Sequence, residues 1–282
     1  MLSGKGGTGK TTIASAFIKL NNAKAYADCD VDAPNLHLVM SQSSEPKRDD
    51  FFGLPKAEIN PRLCIQCDLC RKNCAFDAVE KTKDAFFINQ FACEGCGVCE
   101  IICPVRAIKL KPAVAGELML YQDKAVFSTA QIKMGSGTTG KLVSEVKKAL
   151  KTAAVNAELA IIDGSPGIGC PVIASLSGVD LVLVVTEPSV TGISDMERII
   201  QTANKFQVPV AVCINKYDTN MNKTTRIETY CKKHHILNAG NIPYDTDVIK
   251  AINTGKSIVD FDYPAGSAIR KTYETIMPLL MA

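Results

Sequence analysis

Residues 1–12 read MLSGKGGTGKTT, and within them Gly4, Lys5, Gly6, Gly7, Thr8, Gly9, Lys10 and Thr11 satisfy the pattern GxxxxGK followed by Ser or Thr. Such a loop turns its backbone N–H groups toward phosphate oxygens at the point where a helix begins. The next residues, TTIASAFIKL, have helical apolar spacing, so Lys10, Thr11 and Thr12 fall in the first turn. Lys10 is thereby placed to reach the β and γ phosphates of a nucleotide, and the Thr11 hydroxyl to complete an Mg²⁺ shell. A glycine turn without a ligand has no reason to carry both lysines and the threonine. A strand should precede this loop, yet only Met1, Leu2 and Ser3 stand there. That strand is expected to be short and to pair poorly at its end.

Working outward, AKAYAD ends at Asp28, and LAIIDG, DLVLVVTEP and VPVAVCIN are apolar on both faces, as buried parallel strands are. The helical segments KLVSEVKKALKTA, SDMERIIQTANKF and KTTRIETYCKKHH alternate with them. This rhythm predicts an α/β fold with a doubly wound, mostly parallel sheet. With 32 basic and 29 acidic residues among 282, the net charge of +3 is too balanced to name nucleic acid or an anionic membrane as the principal partner. No charged-then-apolar leader and no apolar stretch long enough to span a bilayer is present, so a cytoplasmic protein without stable membrane insertion is expected.

The βαβ rhythm stops between residues 57 and 111. Cys64, Cys67, Cys70 and Cys74 form a CxxCxxCxxxC run, and Cys93, Cys96, Cys99 and Cys103 repeat it 29 positions later. Cysteines so closely spaced, behind a nucleotide loop, read as thiolate ligands in a reducing compartment rather than as disulfides. The spacing resembles that of bacterial ferredoxins, which implies an inserted small α+β domain at 57–111 with two 4Fe-4S clusters. The crossed ligation of that family implies Cys64, Cys67, Cys70 and Cys103 around one cluster, and Cys93, Cys96, Cys99 and Cys74 around the other. Zinc competes for CxxC pairs, but two runs of four at one spacing argue for iron and sulfide. The insertion divides the nucleotide domain into 1–56 and 112–282, and the chain returns through GELMLYQDKAVFSTAQI, an expected hairpin turning near Gln122, Asp123 and Lys124. So small an insert buries little apolar surface, so metal binding must supply much of its folding energy. Pro104 follows the last cysteine of the second run whereas Ala75 holds the matching place in the first, which is expected to set the Cys74 cluster apart.

The second lysine of the loop, Lys5, makes KGGTGKT resemble the deviant loop of the MinD, ParA and nitrogenase iron-protein ATPases. That resemblance implies that Lys5 reaches across a nucleotide-sandwiched dimer to the partner's phosphates. It extends to Asp28, Cys29, Asp30 and VDAPNL, similar to the family's first switch, and so implies that Asp30 positions the attacking water and that Asp28 sits close to the metal. Asp163 ends the strand AIIDG, where a carboxylate holds Mg²⁺ through water, and Gly164, Ser165, Pro166 and Gly167 beside it read as a second switch. Lys5, Lys10, Asp30 and Asp163 are thus the catalytic candidates, and Thr11, Asp28 and Asp163 the Mg²⁺ candidates. Asn215, Lys216, Tyr217 and Asp218 match the NKxD base-reading motif of GTPases, which leaves GTP open. Relatives of this loop type use an asparagine here for adenine, and IPYD, Ile242 to Asp245, resembles their base-side loop. ATP is favoured, with Asn215, Lys216, Pro243 and Asp245 as base-side candidates.

Among the remaining residues, Cys213 reads as core and Cys231 as a bystander on a polar helix. Cys29 and Cys170 read as packing residues, with metal binding at a dimer interface as the alternative. His37, His234 and His235 read as surface or cap residues, and Lys147, Lys148 and Lys151 as a solvated face. The C-terminal AIRKTYETIMPLLMA is expected to dock on its own domain rather than on a membrane. A P-loop ATPase with a ferredoxin insertion resembles the ATPases of the orange-protein complex and sequences labelled cobyrinic acid a,c-diamide synthase-like. The resemblance implies a homodimer, or a heterodimer with a paralogous ATPase. Its ATP state would gate electron transfer or metallocluster assembly on a redox or metallocofactor-binding partner protein. The alternatives are a partitioning or scaffold ATPase with structural clusters, and an ATP-dependent amidating enzyme of the cobyrinate type, which lacks support because no separate glutaminase segment is present.

Overall fold

The computed structural model describes residues 1–281, which form two compact units. The first comprises residues 1–48, 118–131 and 140 onward, the second residues 49–117 and 132–139. The chain begins with α1 (Lys10–Asn21), β1 (Ala25–Asp28) and a single turn α2 (Leu36–Val39). It continues through β2 (Lys47–Phe52), β3 (Lys56–Ile59), α3 (Leu69–Lys72), β4 (Val79–Lys81), β5 (Phe86–Ile88), α4 (Val98–Ile101) and β6 (Ile108–Lys111). The hairpin strands β7 (Val114–Gln122) and β8 (Val126–Ile132) follow, then α5 (Thr139–Ala153), β9 (Ala160–Asp163), α6 (Cys170–Leu176) and β10 (Val182–Thr186). The remainder is α7 (Val190–Lys205), β11 (Val210–Asn215), α8 (Met221–Lys233), β12 (Leu237–Ile242), α9 (Asp247–Asn253), α10 (Pro264–Ile276) and α11 (Pro278–Met281).

In the first unit the strand order β7-β8-β1-β9 adjoins β10-β11-β12. β1 runs parallel to β8 and β9, and β11 parallel to β10 and β12. Met1–Ser3 fills the gap between β9 and β10. Leu2 N–H donates to the Leu183 carbonyl and Val185 N–H to that of Leu2, while Gly164 and Gly167 N–H groups donate to the carbonyls of Met1 and Ser3. The expected poor pairing is therefore corrected. With a strand edge on each side, three residues are enough to bridge the two halves of the sheet.

The alternation of strand side chains divides the core between two faces. Leu183 and Val185 of β10 join Ile13 and Phe17 of α1 and Ile269 and Ile276 of α10. Val182 and Val184 face the other way, with Met196, Ile199 and Ile200 of α7 and Ile227 of α8. Each fully buried aliphatic contributes about 1.5–3 kcal/mol, so helices on both faces hold the sheet. The C-terminal α10 packs on this core as expected. Cys231, read as a bystander, is buried in the second cluster beside Ile227.

The second unit is an internal repeat. β3-α3-β4 and β5-α4-β6 match at the 29-residue offset of the cysteines, and each two-stranded sheet takes one strand from each half, β3 with β6 and β4 with β5. Its core is small, Ala57, Ala78, Val79, Phe86 and Ile108 with cysteines, and none of the largest fully buried side chains belongs to it. The unit is wider than residues 57–111. Ala113 accepts from Gly53 N–H and Ala115 from Lys133 N–H, which brings β2 and the segment after β8 into it.

Candidate nucleotide and cluster sites

The phosphate loop is shaped by backbone constraints that only glycine meets. Gly7 and Gly9 have φ of 81° and 89°, and a Cβ on Gly9 would stand 2.3 Å from Asn215 Nδ2. No side chain caps α1, so its leading N–H groups remain available to an anion. β11 braces the loop from behind. Asn215 Nδ2 donates to the Thr8 carbonyl at 2.7 Å, and Lys216 Nζ to that of Gly7 at 3.0 Å.

This loop floors a cleft of about 600 Å³. The cleft is lined by Lys5 to Thr12, Asp30, Asn215, Lys216, Pro243 and Asp245, all singled out from the sequence. Its apolar wall, formed by Leu38, Val39, Val248, Ile249 and Ile252, was not foreseen, because single-turn and seven-residue helices carry too little periodicity to announce a face. Asp245 lines the cleft with its carboxylate already engaged, Oδ1 accepting from Asp247 N–H and Oδ2 from Ala265 N–H. Asp218 is absent from the lining, and its Oδ1 accepts from Tyr244 N–H at 2.7 Å.

Lys10 is buried and its Nζ lies 2.5 Å from Asp163 Oδ1. Asp163 Oδ2 and Thr8 Oγ1 are buried without a hydrogen-bond partner. Asp28 is the β-sheet neighbour of Asp163, and it accepts N–H groups from Asp30, Asn35 and Leu36, fastening the segment that follows β1. Burial, and then the charge of Asp163, push Asp28 up to about 6 against those hydrogen bonds. Burial likewise raises Asp30, with Lys10 opposing. Three carboxylates thus share one ammonium, and the orphaned Asp163 and Thr8 oxygens fit a magnesium-bound phosphate. Lys5 Nζ pairs at 2.5 Å with Glu187 Oε1, a residue the sequence reading passed over.

Cys29 is locked against the end of β9 and the turn that follows it. Its N–H donates to Asp163, its carbonyl accepts from the Ser165 hydroxyl, and burial pushes its thiol up to about 12. Cys29 is fully buried, as a packing residue is, whereas Cys170, also read as packing, is exposed. Lys147 is not part of a solvated face. Its Nζ donates to the carbonyls of Ala174, Ser175 and Ser177 at the end of α6, and burial lowers its pKa.

In the second unit the eight run cysteines border two cavities. Cys64, Cys67, Cys70 and Cys103 line one, and Cys74, Cys93, Cys96 and Cys99 the other. Each set draws its fourth cysteine from the opposite run. The thiols surround a space, and among the described residues no three His, Cys, Asp or Glu side chains converge to hold a single ion. Cys74 Sγ accepts Ala78 N–H at 3.4 Å and Cys103 Sγ accepts Ala107 N–H at 3.2 Å. The same backbone donor therefore serves both sets despite Ala75 in place of proline.

Residues 1–258 match the CobQ/CobB/MinD/ParA nucleotide binding domain. The chain belongs to that family of P-loop ATPases. A MinD septum site-determining protein from Pyrococcus horikoshii, solved with Mg-ADP, superposes with a TM-score of 0.59 at 18% identity, covering 99% of this chain and 94% of its own. An uncharacterized Methanocaldococcus jannaschii protein is 34% identical over 281 residues, 98% of this chain and 95% of that one. An uncharacterized ferredoxin of the same organism is 31% identical over 87 residues, 30% of this chain and 58% of its own. This ATPase is thus MinD/ParA-like with a ferredoxin-like segment. Among its described residues no helix is long and apolar enough to cross a membrane.

Proposed function

We propose that this ATPase is a dimeric switch, of two identical or two paralogous subunits, that couples ATP state to electron transfer or metallocluster assembly through two 4Fe-4S clusters. The observation that carries the reading is the crossed sorting of the eight thiols around two cavities, in a chain that also builds a phosphate cleft. Cys64, Cys67, Cys70 and Cys103 would hold one cluster, and Cys93, Cys96, Cys99 and Cys74 the other. Bound there, the clusters supply one-electron carriers of low potential.

At the cleft, Lys10 would exchange Asp163 for the phosphates, which frees Asp163 to hold Mg²⁺ with Thr11, Asp28 standing behind it. Asp30 lines the cleft and would orient the water that attacks the γ-phosphorus as the bond to ADP breaks. ATP is preferred to GTP because Asp218, the residue a guanine reader needs, is turned to Tyr244. Asn215 and Lys216 act mainly by bracing the loop. A redox or metallocofactor-binding protein would receive the output.

The reading is tested by potentiometric titration of anaerobically purified protein with and without Mg-ATP, alongside Lys10→Ala and with iron, sulfide and zinc measured. At least one cluster potential should move with ATP in the wild type and stay fixed in Lys10→Ala. Two potentials blind to nucleotide would favour a scaffold ATPase with structural clusters, and zinc in place of iron would remove the redox role.

A further inference from the structure

Glu187 follows β10 and stands between the two ammonium groups at the mouth of the phosphate loop. Its Oε1 lies 2.5 Å from Lys5 Nζ and its Oε2 3.7 Å from Lys216 Nζ, and Lys216 in turn donates to the Gly7 carbonyl. The carboxylate is mostly buried, whereas Lys5 is 41% exposed. Burial pushes Glu187 up, but the Lys5 hydrogen bond and the charges of Lys5 and Lys216 outweigh it and hold the carboxyl below its usual range.

The backbone fixes this group. Ser189 N–H donates to the Glu187 carbonyl at 2.7 Å, and Ser189 Oγ caps α7 by accepting Gly192 N–H. A Cβ on Gly192 would come within 2.4 Å of the Glu187 carbonyl oxygen. The loop is therefore pinned to the first turn of α7, and Glu187 is a counter-charge on a fixed backbone facing a more exposed lysine.

We propose that Glu187 is a positioning residue that retains Lys5 on its own subunit, so that assembly of two ATP-loaded copies requires Lys5 to leave Glu187 for the partner's phosphates. This rests on the reading above that Lys5 acts across a dimer. A Lys5 side chain drawn back to Glu187 on its own subunit is held away from a partner's phosphates. Pairing with Glu187 therefore competes with the intersubunit contact, and the assembly threshold is set by the difference between them.

The test is sedimentation velocity of the full, cluster-loaded chain over a range of protein concentrations, with Mg-ATPγS and with Mg-ADP. It compares wild type, Glu187→Gln, Glu187→Asp, Lys5→Ala and the Lys5→Ala/Glu187→Gln double variant. Glu187→Gln should lower the dimerisation midpoint with ATPγS by roughly twofold to fivefold, the range an ion pair of this exposure commands. Glu187→Asp should lie between it and wild type, and Lys5→Ala should abolish the ATPγS dimer with or without the second substitution. Mg-ADP affinity, read by calorimetry, should move little in Glu187→Gln, where a merely loosened loop would weaken it. An unchanged or raised midpoint in Glu187→Gln, with Lys5→Ala still disruptive, would overturn the retention role alone. Dimers formed equally well by Lys5→Ala would overturn the trans role of Lys5, and the proposal with it.

Discussion

The two halves of the cysteine unit solve one backbone problem with different residues. The turn through the first three cysteines needs left-handed backbone at two places. The second half supplies Gly95 and Gly97, with φ of 64° and 81°, whereas the first uses Gln66 and Asp68, with φ of 58° and 65°. Surroundings explain the difference. A Cβ on Gly95 would stand 2.1 Å from the Pro55 carbonyl oxygen. Gln66 has room, and its Nε2 donates to the Asp84 carbonyl at 3.0 Å. The second half also lies under the segment after β8, since a Cβ on Gly135 would meet Phe91 and one on Gly137 would approach Glu94. Sequence comparison places the asymmetry at Ala75 and Pro104, whereas the structure places it at Gln66 and Gly95, in what covers each loop rather than in what ligates it.

The largest expected effect breaks the symmetry through the fourth cysteines. Cys103→Ser should remove the cluster of the first run, and Cys74→Ser that of the second, each lowering iron by about half in a two-cluster protein. The crossing is decided by pairs. Adding Cys64→Ser to Cys103→Ser should cost no further iron, whereas adding Cys93→Ser should abolish the remaining cluster, as read by iron assay and by electron paramagnetic resonance of the reduced protein. The opposite pattern would mean that each run holds its own cluster.

A smaller effect is expected where glycine meets a carbonyl. Gly95→Ala adds left-handed strain of about 1–2 kcal/mol and an overpacking cost of about 1–3 kcal/mol against Pro55. Gln66→Ala changes neither term, because a Cβ is already accommodated there. Denaturant bleaching of the clusters should therefore shift to lower concentration for Gly95→Ala and scarcely move for Gln66→Ala. Equal shifts would show that crowding at Pro55 is not what distinguishes the halves.

Much of this arrangement was legible in the sequence because its signals are local or periodic. The phosphate loop is contiguous, the buried strands are apolar on both faces, and the cysteine repeat is written at a fixed offset that α3 and α4, β3 and β5, and β4 and β6 all keep. Residues whose role comes from distant backbone were not legible. Glu187 follows a buried strand with nothing nearby to show that Lys5, far back in the chain, stands opposite it. Lys147 shares a lysine-rich helix that reads as solvated, yet its partners are carbonyls contributed by α6. The expected bounds of the insertion, 57–111, fell short for the same reason, since residues 132–139 join that unit through contacts such as Lys133 with Ala115.

The smallest effect concerns how the first half tolerates Asp68 where the second has Gly97. Asp68 Oδ1 and Oδ2 accept from Arg71 Nε and Nη2 at 2.7 and 2.6 Å, a bidentate clamp on an exposed turn. Asp is among the residues that adopt the left-handed region most readily, and the clamp holds it there. Arg71→Ala should leave iron content unchanged and lower the bleaching midpoint of the first cluster by less than Gly95→Ala lowers that of the second. Because the pair is solvent-exposed, this shift should shrink as ionic strength approaches about 1 M, where the Debye length falls to about 3 Å. Asp68→Gly should be nearly silent in the wild type, exchanging a clamp for freedom from strain, and should raise the midpoint in the Arg71→Ala background, where only the strain is left to remove. Loss of stability in both backgrounds would mean that Asp68 serves the first half by some contact other than Arg71, and that the two turns differ in more than their packing.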